Sequence, residues 1–145
     1  MKNWICRELA FGSLDYRASL VLREEILRKP LGLPFRAEDT AHDDYSFHLG
    51  CYREEALVGV LVLEPLDEVR IKMRQVAVAA ETQGQGAGSD LVAFAEKFVR
   101  EKGYRTIVAH ARQEYHSFYV KRGYAIRGGP FIEVTIPHYA IAKEL

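Results

Sequence analysis

The sequence predicts a mixed α/β protein built on one sheet. Three observations carry that reading. The segments follow the order β-α-β-β-β-α-β-α-β-β. Two of them show apolar residues at helical spacing, and each is stopped by proline or glycine. Three strands in a row separate the first two helices, so the chain is not a simple doubly wound alternation.

Residues 4–11, "WICRELAF", read as the first strand. Ser13 then caps a helix, because its hydroxyl accepts a bond from a free backbone N–H. Leu14, Ala18, Val21 with Leu22, and Glu25 mark one side of that helix. Leu20, Ile26 and Leu27 thicken its apolar stripe. Pro30 ends it. "KPLGLPFRAEDTAHDD" follows as a long loop with an acidic end. "YSFHLGCYR" (45–53) alternates as a strand does, and Glu54–Glu55 make a turn. "ALVGVLVLEPL" is a nearly continuous apolar strand, the pattern expected when both faces are covered. In "VRIKMRQVAVA" (69–79), Ile71, Met73 and Gln75 alternate with Arg70, Lys72 and Arg74. A helix runs from about Ser89 to Lys102, with Leu91, Phe94, Ala95, Phe98 and Val99 on one side and Gly103 closing it. "RTIVAHA" (105–111) is a strand. "EYHSFYVKR" (114–122) is a short helix stopped by Gly123. Two strand-like pieces around "RGGPF" complete the chain.

The 145 residues suit one domain, 1–145. A chain of that size buries roughly 68–70% of its unfolded surface, enough for a sizeable core. Apolar residues make up 48% and charged residues 28%, an ordinary globular composition. Twenty Lys and Arg balance twenty Asp and Glu. The basic excess of a nucleic-acid binder is missing. The start lacks the apolar core and cleavage site of a signal peptide. The longest apolar run, "ALVGVLVL", is too short to cross a bilayer. Cys6 and Cys51 are too few for a disulfide framework and read as buried thiols rather than as a bridge or a nucleophile. These points predict a cytoplasmic protein without nucleic-acid or membrane partners.

"QGQGAG" (83–88) places three glycines between a strand and a helix. A helix start offers free N–H groups and a partial positive charge. Glycine lets a phosphate approach that backbone closely. The stretch reads either as a diphosphate cradle or as a flexible turn. Ser89 stands where a dinucleotide fingerprint needs its third glycine, and no Gly-Lys-Ser/Thr follows, so two familiar cradles are excluded.

Gln83, Gly86 and Gly88 match the pattern Gln/Arg-x-x-Gly-x-Gly/Ala. With the strand "RQVAVAAET" before it and "SFYVKRGY" after the next helix and strand, the chain resembles the GNAT superfamily of N-acetyltransferases. Phe118, Tyr119, Gly123 and Tyr124 match that family's Phe-Tyr-x-x-x-Gly-Phe/Tyr segment. "FIEVTIPHYAIAKEL" is similar to the ending of the small bacterial ElaA-type branch through Phe131, Glu133, Ile136, Pro137 and His138, with Thr135 in place of a glycine. The resemblance implies a mixed, mostly antiparallel sheet flanked by helices.

It also implies transfer of an acetyl group from acetyl-CoA to an amine by direct attack. The backbone of Gln83, Gly84, Gln85, Gly86, Ala87, Gly88 and Ser89 would hold the diphosphate. Asp90 puts a negative charge beside it and must point away. The pantetheine arm would pair with an open strand edge at Val76, Ala77 and Val78, and an N–H near Val78 would polarise the thioester carbonyl. Tyr119 matches the tyrosine that protonates the departing thiolate; otherwise it is a core aromatic. Glu133 and His138 are the named base candidates, against a structural hydrogen bond or a water-borne proton. Homodimers are common in the family.

The remaining polar residues predict less chemistry. The spacings of His42 and His48, and of His110 and His116, do not form a zinc site, so no metal is expected. Ser89 and Ser117 lack a nucleophile elbow. Glu38, Asp39, Asp43 and Asp44 read as a solvated loop, or as an attractor for a cationic amine. The acceptor is then a small amine or a protein amine. A silent acyl-CoA sensor of the same fold stands as the alternative. A nucleotide hydrolase would need the lysine and metal carboxylates that the loop lacks.

Overall fold

In a computed structural model, which describes residues 4–145, the elements run β1 (Trp4–Leu9), α1 (Leu14–Leu27), β2 (Phe47–Arg53), β3 (Ala56–Pro65), β4 (Arg70–Val78), α2 (Ala87–Glu101), β5 (Thr106–Arg112), α3 (His116–Val120), β6 (Ala125–Glu133) and β7 (Ile136–Glu144). This is the element order the sequence predicts. The seven strands form one sheet in the order β1-β2-β3-β4-β5-β7-β6. Only β4 and β5 pair in parallel; the other neighbours are antiparallel.

The apolar run of β3 is central because both of its faces are covered. Val60, Leu61, Val62 and Leu63 are all buried, as a continuous hydrophobic strand requires. Leu91, Val92, Ala95 and Val99 form the buried side of α2. They join Leu49, Ile71, Ile107 and Ile141 in the core.

The expected face of α1 is corrected. Leu14 is 80% exposed and Val21 58% exposed. Tyr16, Ser19, Leu22 and Arg23 are buried instead. Apolar periodicity misplaces the face because the buried side is partly polar and fully bonded. Arg23 Nη1 donates to Asp43 Oδ2 at 2.7 Å, and the Tyr16 hydroxyl donates to the same oxygen at 2.6 Å. Ser13 does cap the helix, accepting from the Tyr16 N–H at 3.1 Å. The helix ends at Leu27, and Pro30 lies within a new short 3-10 turn, Lys29–Leu31.

The loop that follows is also more than solvated chain. Asp43 is buried in its ion pair with Arg23, and Arg28 binds Asp39 at 2.6 Å. These two carboxylates neutralise arginines and are not free to attract an amine. Cys6 lies opposite Cys51 across β1 and β2. Both are free thiols; Cys51 is buried, whereas Cys6 is only partly so. Among the described residues no helix is long and apolar enough to cross a membrane.

One irregularity positions the site. Val60 faces Ala77 and Val62 faces Arg74, so Gln75 and Val76 together oppose Leu61 alone. This is a β-bulge, which bends its strand and breaks pairing. Gln75 takes a left-handed backbone, φ 51°. The β4–β5 pairing stops nearby, at Met73 opposite Ala109. Beyond it β5 stays with β7 as far as Arg112 opposite His138. The two parallel strands therefore diverge and leave a cleft.

Candidate active site

The glycine loop closes one end of that cleft. Gln83 Nε2 donates to the Val78 carbonyl at 2.8 Å and ties the loop to the end of β4. Gly84 and Gly86 have φ of 79° and 98°, and beyond their immediate chain neighbours no atom of a described residue lies within 4 Å of where a Cβ would stand on either. The space above them is open, as a phosphate cradle needs. α2 starts at Ala87, two residues before the expected Ser89. Its N-cap, Gly86, supplies no side-chain acceptor. Among the described residues no side chain caps the first N–H groups of the helix, so they suit an anion.

Gln83, Gly84, Gly86, Gly88 and Ser89 line a cavity of about 660 Å³ that runs from the loop into the cleft. Gln85 does not line it, because its side chain bonds Arg53 and the Glu81 carbonyl. Ala87 and Ala77 are buried in the core. Val76 and Val78 do line the cavity. The Ala79 N–H donates to the Val58 carbonyl at 2.8 Å. Strand alternation therefore turns the Val78 N–H away from β3, toward the cleft. Asp90 acts electrostatically on Cys6 and Cys51 and does not line the cavity.

Arg122 is a site residue that the sequence reading passed over. Its Nε and Nη2 donate to Ser89 Oγ at 3.0 and 2.8 Å, and its guanidinium lies 3.7 Å from the Phe118 ring centroid. It holds a positive charge against the loop. Its only sequence signal was a basic residue inside "SFYVKRGY".

Tyr119 lines the same cavity, half-buried and edge-on to Phe118 and Tyr124. Burial pushes its phenol up to about 12, with Arg122 pulling the other way. Its hydroxyl makes no hydrogen bond to a described residue, so the proton remains available to a ligand.

At the other end of the cavity His110, Glu133 and His138 come together. His110 Nδ1 is 2.9 Å from Glu133 Oε1, and His138 Nε2 is 3.9 Å from Glu133 Oε2. His138 is buried, and its Nδ1 lies 2.9 Å from the Ile136 carbonyl. The cluster follows from topology. β7 inserts between β5 and β6, and the β6–β7 turn returns Glu133 to β5. That turn places Val134 and Thr135 at φ 50° and 67°. Two successive positive φ values match the two-residue hairpin turn that favours glycine, which accounts for the family's glycine where this chain has Thr135. The hydrogen bond from His110 holds the Glu133 carboxyl below the usual range, against desolvation; His138 and Lys72 assist. His110 forms no zinc spacing with His116. Its signal was strand alternation: it faces the side of β5 opposite the buried Ala109 and Ala111. Among the described residues no group of three His, Cys, Asp or Glu side chains is placed to hold a metal ion.

A bulged, splayed parallel pair with a glycine loop at its mouth defines an acyltransferase architecture. The chain belongs to the acetyltransferase (GNAT) family, whose family model matches residues 14–124. The uncharacterized N-acetyltransferase YitI of Bacillus subtilis (strain 168) is 27% identical over 116 residues, covering 76% of this chain and 78% of that protein. Many solved structures share the fold. A GNAT family acetyltransferase from Elizabethkingia anophelis with acetyl-CoA bound superposes with a TM-score of 0.79 at 18% identity, over 100% of both chains. Escherichia coli ElaA superposes at 0.80 and 19% identity, over 99% of this chain and 100% of the other.

Proposed function

We propose that this protein transfers an acetyl group from acetyl-CoA to a primary amine by direct attack. The observation that carries this reading is a single cavity holding the open glycine loop, the unpaired edge of β4 and the unbonded Tyr119 hydroxyl. Acetyl-CoA supplies the activated thioester. The N–H groups from Gly84 to Ser89 hold its diphosphate, assisted by the Arg122 charge; the Gln83 N–H is already bonded to the Ala79 carbonyl at 3.1 Å. The β4 edge from Val76 to Val78 orients the pantetheine arm. The Val78 N–H polarises the carbonyl oxygen as charge develops there.

The amine nitrogen forms the new C–N bond as the C–S bond breaks. Tyr119 gives its proton to the departing thiolate. The amine's own proton goes to the cluster at the far end. Glu133, held below the usual range, is a weak base but a good orienting acceptor. The imidazole of His110, bonded to it, receives the proton; His138, behind Glu133, steadies the carboxylate. An imidazole is matched to proton transfer near neutral pH.

The test is thiol release from acetyl-CoA in the presence of small amines and of peptides with free amines. The reading expects release that depends on the amine and leaves an acetylated product. Binding of acetyl-CoA with no release for any amine would replace it with an acyl-CoA sensor.

A further inference from the structure

The acceptor end of the cavity carries an unbalanced positive charge. Arg28 and Arg112 both line it. Arg28 Nη1 and Arg112 Nη2 donate to the same atom, the Leu27 carbonyl at the end of α1, at 3.1 and 2.9 Å. Arg28 is neutralised by Asp39 at 2.6 Å. Among the described residues Arg112 has no carboxylate within ion-pair distance; Glu114 acts on it only from farther away. Arg112 is nevertheless half-buried. Burial lowers its pKa from the ordinary value, Tyr115 and Glu114 oppose that in part, and the nearby Arg28 cation adds to it. A desolvated cation without a counter-ion is unfavourable. A helix C-terminal carbonyl compensates it only in part.

His110 and Arg112 are two residues apart on β5, so they share a face. Their Cα atoms are separated by about 7 Å of strand. The amine-receiving cluster, with the Glu133 carboxylate, therefore sits one step along the strand from a guanidinium that lacks an anion. We propose that Arg112 is the anion anchor of the acceptor site, and that the acceptor is an amine carrying a carboxylate, of amino-acid size. The ammonium end meets Glu133 and His110 and loses its proton there; the carboxylate end takes the two-pronged bonds that a guanidinium offers. This rests on the acetyltransferase reading for its chemistry, but the anion site stands on its own geometry.

The test compares amino acids, including β-alanine and 4-aminobutyrate, with their amides. Two readouts are taken: thiol release from acetyl-CoA, and calorimetric binding of the N-acetylated acids and amides to the coenzyme A-loaded protein. The acids are expected to exceed their amides by roughly 10–100-fold in kcat/KM, the range of a charge-assisted hydrogen bond. Arg112→Gln should collapse that ratio through KM, and Arg112→Lys should restore part of it. Melting curves identify a variant that has lost its fold, and the wild-type comparison decides the matter without it. Equal use and equal binding of acids and amides would overturn the proposal, as would a preference that survives in folded Arg112→Gln. Preferential binding of the acids without turnover of any amine would keep the anion site and overturn the acetyltransferase reading. Neither turnover nor selective binding would overturn both.

Discussion

Tyr119 lines the cavity while its ring is held by Phe118 and Tyr124. Tyr119→Phe preserves that packing, so the fold should persist. kcat should fall by roughly 10–100-fold, the low end for acid catalysis, because a coenzyme A thiolate already leaves readily. Acetyl-CoA affinity should stay near wild type. With its pKa pushed up to about 12, the phenol stays protonated through the working range, so the loss should be the same from pH 6 to pH 9. Wild-type kcat in a chemistry-limited step would return Tyr119 to a packing role. Glu133 gives a second test. Its pKa is lowered, so it stays ionised at any pH above the ordinary carboxylate value of about 4.3. A rate limb between pH 5 and 8 is therefore not that of Glu133. Glu133→Gln should lower kcat without removing the limb. A limb that vanishes in this variant would make Glu133 the titrating base.

The bulge in β4 is anchored by an element that the sequence presents as an ordinary amphipathic helix. From α1, Arg23 Nε reaches Gln75 Oε1 at 2.5 Å, while its other nitrogens bind Asp43 and the Asp39 carbonyl. Arg23→Met leaves Asp43 charged, buried and short of its main partner. The expected loss is about 3–5 kcal/mol in urea unfolding, a large share of a typical domain's stability. A loss below about 1 kcal/mol would mean that the network does not anchor the bulge. The same network predicts a pH response. His48 is buried with Nε2 2.8 Å from the Asp43 carbonyl, and burial lowers its pKa. The unfolded chain then binds the proton first, so stability is complete above about pH 6.5 and is lost as pH falls below it. His48→Gln should flatten that part of the melting-temperature profile; an unchanged slope would assign it to other groups. At the loop, Gly86→Val places side-chain atoms in the open space over the helix start and should weaken coenzyme A binding at least tenfold, about 1.4 kcal/mol. Unchanged affinity in the folded variant would remove the diphosphate from this loop.

At the scale of the whole molecule, the element order was legible because strands and helices here obey their own periods. Ser13, Pro30, Gly103 and Gly123 mark boundaries that depend on local chemistry alone. The face of α1 was not legible, since an inward Arg23 reads as a surface residue until Asp43 arrives from a loop twenty positions later. Nor was the bulge, because register belongs to two strands at once and Gln75 carries no sign of it. In the site, the glycine spacing pointed to the loop and "SFYVKRGY" to Tyr119. The partners of His110, Arg112 and Arg122 were not legible, because they depend on the tertiary fold: β7 beside β5, the end of α1 beside Arg112, and α3 beside the loop. The account as a whole turns on where coenzyme A binds, and a crystal structure of the complex tests that most directly. It should show the diphosphate on the N–H groups from Gly84 to Ser89, the pantetheine arm along Val76 to Val78, and the sulfur within reach of the Tyr119 hydroxyl. Coenzyme A bound outside the β4–β5 cleft, or with its sulfur far from Tyr119, would contradict it.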